Sequence, residues 1–142
     1  MTAQFQENGI RFLYPENWQM EREDTDAGWT VSVQSPGTAF FLVSYDGAMP
    51  EPVLMADTAL EALRSEYPEL ESDAALESLA GQPAVGHDVQ FFSFDLTNTC
   101  WTRSIYTARG TMLVLCQFND LESDTNEPVL RAICASLEVA DE

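Results

Sequence analysis

The order of elements in this 142-residue sequence predicts an α+β fold: a single twisted antiparallel sheet of about six or seven strands, flanked by two main helices. Two observations support this fold class. Most of the chain consists of short segments in which apolar and polar residues alternate between turn residues, as is typical of antiparallel hairpins. Two other segments repeat apolar residues at helical spacing. No linker divides the sequence, so residues 1–142 are expected to form a single α+β domain.

The first third of the chain is predicted to form strands joined by tight turns. Asn8-Gly9 lies between Phe5 and Ile10 and is a strong signal for a two-residue hairpin. The strand that begins at Ile10 is expected to end at Pro15, because proline cannot continue the hydrogen bonding of a strand. Three more strands are predicted in this region: Trp18–Glu23, Trp29–Gln34 and Ala39–Tyr45.

The two helices are predicted from apolar residues that recur every three or four positions. The first apolar stripe starts after Pro50 and ends before Pro68, as expected for prolines near helix ends. Its members are Val53, Ala56, Leu60, Leu63 and Tyr67. The second helix is expected to begin near Glu127-Pro128, with one of residues 124–126 as its N-terminal cap.

A meander of strands is predicted between the two helices. A charged loop at Glu69–Asp73 is expected to lead into it. The strands are predicted at Leu76–Ala80, Val85–Phe94, Trp101–Thr107 and Thr111–Phe118. Turns are expected at Gly81-Gln82 and Arg109-Gly110, with a polar tip at Asp95–Thr99. A short extension at Leu137–Val139 is expected to add a final edge pairing.

The sequence is strongly acidic. Its 24 aspartates and glutamates outnumber six basic residues, all arginine, which gives a formal charge of -18. Such a surface repels phosphate groups and anionic lipids, so we expect neither nucleic acid nor a membrane as a partner. The first residues lack the features of a signal peptide, and no apolar run approaches the ~20 residues of a membrane-spanning helix. A cytoplasmic location is therefore expected.

The sequence contains few groups that catalyse reactions or bind metals. Cys100, Cys116 and Cys134 have no Cys-x-x-Cys spacing, and we interpret them as reduced, buried thiols. A Cys100–Cys116 disulfide is not expected, because the turn between them would place the two side chains on opposite faces of the sheet. The single histidine, His87, has too few nitrogen or sulfur ligands nearby for a transition-metal site. No catalytic residue, metal or cofactor is predicted, and an enzyme is not expected.

Four segments, taken in order, resemble a known family. They are the strand–Pro–Trp opening at Ile10–Trp18, the turn at Gly81–Ala84, the Arg109-Gly110 hairpin, and the terminal helix ending in Ala135–Leu137. Over nearly the whole chain this order resembles the PsbP-like fold family, which includes PsbP of photosystem II, a Ran-binding import factor, DcrB-like proteins and bacterial secretion-effector chaperones. The resemblance implies a sheet flanked by helices that binds proteins rather than catalysing a reaction. The chain has neither the lysines of PsbP nor an export or lipoprotein signal, so a photosynthetic role is not expected.

The geometry of such a sheet favours binding. The sheet would be roughly 30 Å wide and each helix covers a stripe about 10 Å wide, so two helices do not cover both faces. Because several strands are apolar on both sides, part of an apolar sheet face with an acidic rim is expected to stay open to a partner. Trp, Tyr and Arg dominate binding hot spots. The predicted contact residues are therefore Trp29, Tyr45, Trp101, Arg103 and Tyr106.

The sequence thus predicts a non-enzymatic protein-interaction module, either an adaptor or a chaperone. The expected partner is another protein, basic or with an exposed apolar segment, or a second copy of the chain as a homodimer. One alternative is a small-ligand or lipid-binding domain that uses the same face as a pocket. A hydrolase in which His87 meets Ser93 or Ser104 across strands is a third. The acidic rim is explained either by steering of a basic partner or by adaptation to a salty cytoplasm.

Overall fold

The chain has two antiparallel sheets and two α-helices in the computed structural model, which describes residues 1–140. In chain order the elements are β1 (Thr2–Glu7), β2 (Ile10–Pro15), β3 (Gln19–Asp24), β4 (Gly28–Gln34), β5 (Phe40–Asp46), α1 (Pro52–Glu66), β6 (Glu71–Leu79), β7 (Gln82–Ser93), β8 (Leu96–Tyr106), β9 (Thr111–Asn119), α2 (Ser123–Ser136) and β10 (Glu138–Val139). The large sheet has seven strands in the spatial order β3-β4-β5-β9-β8-β7-β6. The other three strands form a smaller sheet in the order β1-β2-β10. The α+β class and the large antiparallel sheet are confirmed.

The prediction of a single sheet is wrong, and the position of the β1–β2 hairpin shows why. The ring of Phe12 is fully buried and lies 4.9 Å from the ring of Phe41 in β5, centroid to centroid. The ring of Phe5 lies 5.2 Å from that of Trp29 in β4. The hairpin therefore packs over the face of the large sheet instead of extending its edge. Burial of each such ring stabilises the fold by about 2 kcal/mol, which an edge position with both faces in water would not provide.

The two helices contact different faces of the large sheet. Neighbouring residues of a strand point to opposite faces, and the central strand β9 shows the division clearly. Val114 and Cys116 belong to the core that includes Leu130 of α2, whereas Leu115 packs against the cluster that includes Leu60 of α1. β9 is therefore apolar on both sides, and each side is covered by one of the two helices.

The second helix begins earlier than predicted. It starts at Ser123 after Glu122, no side chain caps it, and Pro128 lies inside it rather than at its entrance. The proline is tolerated because it stands in the second turn, where only one backbone hydrogen bond near the helix start is lost. The longer helix, α1, has 15 residues. Within residues 1–140, neither helix is long and apolar enough to cross a lipid bilayer.

The charged segment predicted as a loop is largely an edge strand. β6 begins at Glu71, includes Asp73 and lies at the outer edge of the large sheet. Edge strands are often rich in charged residues, which discourage pairing with other chains, so polarity alone does not distinguish such a strand from a loop. The turn that follows lies at Ala80-Gly81 rather than at Gly81-Gln82. Likewise most of the predicted polar tip at Asp95–Thr99 belongs to β8.

Three local predictions are confirmed. Asn8 and Gly9 form the β1–β2 turn, with φ angles of 53° and 79°. The turn at Arg109-Gly110 is closed by the amide of Thr107, which donates to the carbonyl of Gly110 at 2.8 Å. Residues 138–139 form β10, which pairs with β2 as the expected edge strand. The two turns are specified by residues that are close together in the sequence, whereas the β10–β2 pairing joins the two ends of the chain.

Candidate binding cleft

The smaller sheet and α2 lie on one face of the large sheet and leave one end of that face uncovered. α2 packs mainly against β2, β5 and β9, and its Arg131 reaches Trp101 of β8, while β7 and β6 extend beyond it on the same face. A cleft of about 640 Å³ lies along this border, and its size is within the range of ligand-binding pockets. Its lining residues are Glu77, Ser78, Leu79, Ala80, Gly81, Trp101, Arg103, Val114, Cys116, Arg131, Cys134, Ala135, Leu137, Glu138 and Val139.

Arg103 on β8 provides a buried cation at the base of the cleft. Its Nε donates to Oε1 of Glu77 at 2.7 Å, and its Nη2 donates to Oδ1 of Asp88 at 2.9 Å. Its Nη1 donates to the carbonyl of Thr102 at 2.8 Å. Arg103 is only 8% exposed, and a buried charge is stable only when it is paired and hydrogen-bonded in this way. The guanidinium is therefore held in one position.

Gly86 on β7 lies directly opposite Arg103 in the strand register. A Cβ atom at this position would lie 1.7 Å from the carbonyl oxygen of Thr102, which is backbone and cannot move aside. Glycine at position 86 therefore permits the close approach of β7 and β8 at this point. This close approach is part of what places Asp88 within reach of the guanidinium.

Trp101 and Arg131 form a platform at the mouth of the cleft. The guanidinium carbon of Arg131 on α2 lies 4.3 Å from the ring centroid of Trp101 on β8, which is a cation–π contact. The Nε atom of Arg131 also donates to Oε2 of Glu127 at 3.1 Å, and the indole packs edge-on against Phe118. Trp101 remains partly exposed and Arg131 is largely exposed. The platform therefore offers both an aromatic and a cationic surface to a bound group.

Cys116 on β9 and Cys134 on α2 meet at the floor and wall of the cleft, where their sulfur atoms are 3.5 Å apart. The hydrogen bond between the two thiols lowers the pKa of Cys134 and raises the pKa of Cys116. Cys100 faces the α1 cluster on the other side of the sheet, and burial raises its pKa to about 12. All three are free thiols, but the approach of Cys116 to Cys134 was not predicted.

The rim of the cleft is acidic. Glu77 and Glu138 both line it, and more than half of each side chain is exposed. Glu138 pairs with Arg11 of β2, whose Nε donates to its Oε1 at 3.1 Å. The arginines of the cleft are thus surrounded by carboxylates, as expected in a chain with a formal charge of -18.

His87 lies on the opposite face of the sheet from the cleft. Its Nε2 atom is 3.5 Å from Oδ1 of Asp57 on α1, whereas Asp88, its neighbour in sequence, points to Arg103. Ser104 donates its hydroxyl to the carbonyl of Met112 at 2.9 Å. In the described part of the chain, no group of three or more His, Cys, Asp or Glu residues is arranged to hold a metal ion. The carboxylate that faces the His87 ring is thus that of Asp57 on α1, and not that of its sequence neighbour Asp88.

Of the predicted contact residues, Trp101 and Arg103 line the cleft. Trp29 and Tyr45 stack on each other in the core, where they are 2% and 6% exposed, because the β1–β2 hairpin packs over this part of the sheet. Tyr106 is 44% exposed but lies on the face that α1 contacts. The structure thus brings two of these residues together, and contact of a partner with the other three stays a prediction.

Sequence reasoning missed Arg131 and the two cleft cysteines as site residues. Arg131 and Cys134 lie three positions apart on α2, a spacing that places them on one face of a helix. That spacing was visible in the sequence, but it does not tell which strands the helix will face. Only the path of α2 over β9 brings these side chains to Trp101 and Cys116.

Searches of protein families and of curated proteins find no match to this sequence. Solved structures do match. LpqN of Mycobacterium tuberculosis, described as involved in cell envelope biogenesis, aligns with a TM-score of 0.61 and 14% identity over 99% of this chain and 91% of its own. The cyanobacterial PsbP (CyanoP) of Synechocystis sp. PCC 6803 aligns with a TM-score of 0.59 and 13% identity over 98% of this chain and 92% of its own. Identities this low show the fold alone, and the chain has a PsbP-like fold, as its sequence resemblance predicted.

Proposed function

We propose that this chain is a non-enzymatic protein-interaction module that binds a polypeptide segment of its partner in the cleft between α2 and β6–β8. The observation that carries the proposal is the Trp101–Arg131 platform, which stands at the mouth of the cleft above the fixed guanidinium of Arg103. Tryptophan and arginine are enriched in binding hot spots, particularly where a pocket holds them in one orientation. The cleft combines such residues with an apolar floor that includes Val114 and Leu137.

The chemistry of the cleft indicates what the segment contains. The apolar floor suits an aliphatic or aromatic side chain, while Glu77 and Glu138 at the rim suit flanking lysines or arginines. The formal charge of -18 adds long-range attraction, which raises the association rate of a basic partner. A second copy of the chain is a poorer occupant, because two such acidic molecules repel each other.

A small ligand or lipid is the second candidate for the same cleft. The specific observation in its favour is the volume of about 640 Å³, which would accommodate a molecule of drug size. The carboxylates at the rim disfavour a fatty acid or another anionic lipid, because its head group would be repelled. A neutral or cationic apolar molecule fits the charges better.

The proposal is tested with random peptides displayed on phage and with protein labelled by 5-fluorotryptophan. Trp18 and Trp29 are buried and Trp101 is partly exposed, so the three fluorine signals separate the cleft from the core. We expect the selected peptides to combine an apolar anchor with basic residues, and to shift the signal that Trp101→Phe removes. Arg131→Ala should weaken binding about tenfold or more.

Arg64→Ala is the matched control. Arg64 also forms an ion pair with a glutamate of its own helix, Glu61, but it lies on α1, away from the cleft. Peptides that bind Arg131→Ala and Arg64→Ala equally well, or that leave the Trp101 signal unmoved, would contradict the proposal. If no peptide is selected and an uncharged detergent monomer shifts the Trp101 signal, the small-ligand alternative is supported instead. A cytoplasmic location is part of the proposal and is tested by cell fractionation.

A further inference from the structure

The thiols of Cys116 and Cys134 form a close pair whose chemistry the proposed peptide binding does not use. Their sulfur atoms lie 3.5 Å apart, on two elements that are separate in the fold: a central strand and the C-terminal helix. A sulfur–sulfur bond is about 2.05 Å long, so the two atoms need to approach by about 1.5 Å to become linked.

We infer that Cys116 and Cys134 are a reversible thiol–disulfide site that reacts through the cleft with a low-molecular-weight disulfide such as oxidised glutathione. The inference concerns the two thiols themselves and does not depend on what the cleft binds. It makes the cleft an entry route to a covalent modification of the chain.

The environment of the pair assigns different roles to its two members. Cys134 is only half-buried and lines the cleft, so a disulfide from solution reaches it first. Cys116 is almost fully buried, and the hydrogen bond between the two thiols lowers the pKa of Cys134, which favours the thiolate that attacks disulfides. Arg131 and Arg103 also lower the pKa of Cys134, while burial and Glu77 act in the opposite direction. Cys134 is therefore the attacking thiol and Cys116 the resolving one.

The reaction balances in two exchange steps. In the first, the thiolate of Cys134 attacks one sulfur of oxidised glutathione, the disulfide of glutathione breaks, and one glutathione thiolate leaves. In the second, Cys116 loses its proton and attacks the sulfur of Cys134, which releases the second glutathione thiolate. The chain loses two hydrogens in total, and one oxidised glutathione becomes two reduced molecules.

The new bond would tie α2 to β9 directly beneath the Trp101–Arg131 platform. Because such a link restricts the unfolded chain, it raises the melting temperature, by about 5–10 °C for a domain of this size. In a reducing cytoplasm the pair stays as thiols, and it becomes oxidised when the proportion of oxidised glutathione rises. The state of the pair would therefore report the redox state of the compartment.

The test uses the folded chain, oxidised glutathione and mass spectrometry under non-reducing conditions. Trypsin cleaves after Arg103, Arg109 and Arg131, so the three cysteines fall in three different peptides. We expect the intact monomer to lose two hydrogens, the peptide beginning at Gly110 to become linked to the one beginning at Ala132, and a reducing agent to reverse both changes. The melting temperature should rise on oxidation and return on reduction.

Three variants separate the roles. Cys116→Ser should stop the reaction at a stable glutathione adduct on Cys134, and Cys134→Ser should remain unmodified because Cys116 is buried. Cys100→Ser should behave as the unchanged chain, since Cys100 lies on the other face with a pKa raised to about 12. A linkage involving Cys100, linkage between chains only, or no adduct on Cys134 in the folded Cys116→Ser variant would overturn the inference.

Discussion

The two ends of one face of the large sheet are stabilised in different ways. Under the β1–β2 hairpin and α2, this face carries fully buried apolar residues such as Val31 and Phe41. Beyond α2, the same face carries Gly86, Asp88 and Arg103, which are linked by close backbone approach and by charged hydrogen bonds. The first end depends on apolar burial, and the second depends on a network that tolerates water at its margin. The cleft thus lies at the end of the face that polar contacts stabilise, where burial under another element is not required.

The largest expected effect is at the covered end. Phe12→Ala removes a fully buried ring that contacts Phe41, and we expect the free energy of unfolding to fall by about 3–5 kcal/mol. Urea denaturation measures this change. Leu13→Ala is the matched control: Leu13 lies on the other side of the same strand and is partly exposed, so its loss should cost less than about 1 kcal/mol. Equal costs for the two variants would mean that the hairpin does not pack on the sheet.

A smaller effect is expected at the open end. Arg103→Met removes the cation but keeps much of the side-chain volume, and we expect a loss of about 1–3 kcal/mol in the free energy of unfolding. The cost is limited because Glu77 and Asp88 are each about half exposed and regain water when the arginine is removed. Arg131→Met, at a largely exposed position, should change stability by no more than about 0.5 kcal/mol. A loss at Arg103 larger than that of Phe12→Ala would reverse the comparison.

A small effect of opposite sign is expected at the turns of the two ends. The hairpin of the covered end turns through Asn8-Gly9, whereas the β7–β8 hairpin turns through Phe94 and Asp95, both with positive φ, at 54° and 62°. Side chains with a Cβ disfavour this conformation, so Asp95→Gly should raise the free energy of unfolding by about 0.5–1 kcal/mol. Asp95→Ala removes the same carboxylate but keeps a Cβ, and it should not stabilise the chain. Thermal or urea unfolding of the two variants, measured side by side, distinguishes a backbone effect from a charge effect.

Phe94 makes this turn unusual in a second way. Its side chain is 95% exposed, and that of Phe92 on the same hairpin is 70% exposed. The sequence pattern predicted a continuous strand as far as Phe94, because aromatic residues favour strands. The chain turns there nonetheless, since β8 begins at Leu96 and pairs with Ser93. A tertiary pairing has overridden the local preference at this position.

Much of the fold could be predicted because its signals are local. The Asn8-Gly9 turn and the apolar stripe of α1 each depend on residues within a few positions of one another. The binding residues could be predicted only in part. Trp29 and Trp101 both lie on strands and each is followed by a threonine, yet one is in the core and the other lines the cleft. Nothing in the alternation of a strand tells which element will cover it.

The sequence by itself determined the α+β class, the main turns, the acidic surface and the absence of recognisable catalytic motifs, because composition and short-range spacing carry this information. Tertiary structure alone decided that the β1–β2 hairpin lies over the sheet, that α2 packs mainly on β5 and β9, and that Cys116 meets Cys134. The physical reason is that burial of an apolar face is non-directional. Several elements of the chain could cover a given apolar face equally well, and the path of the whole chain decides which one does.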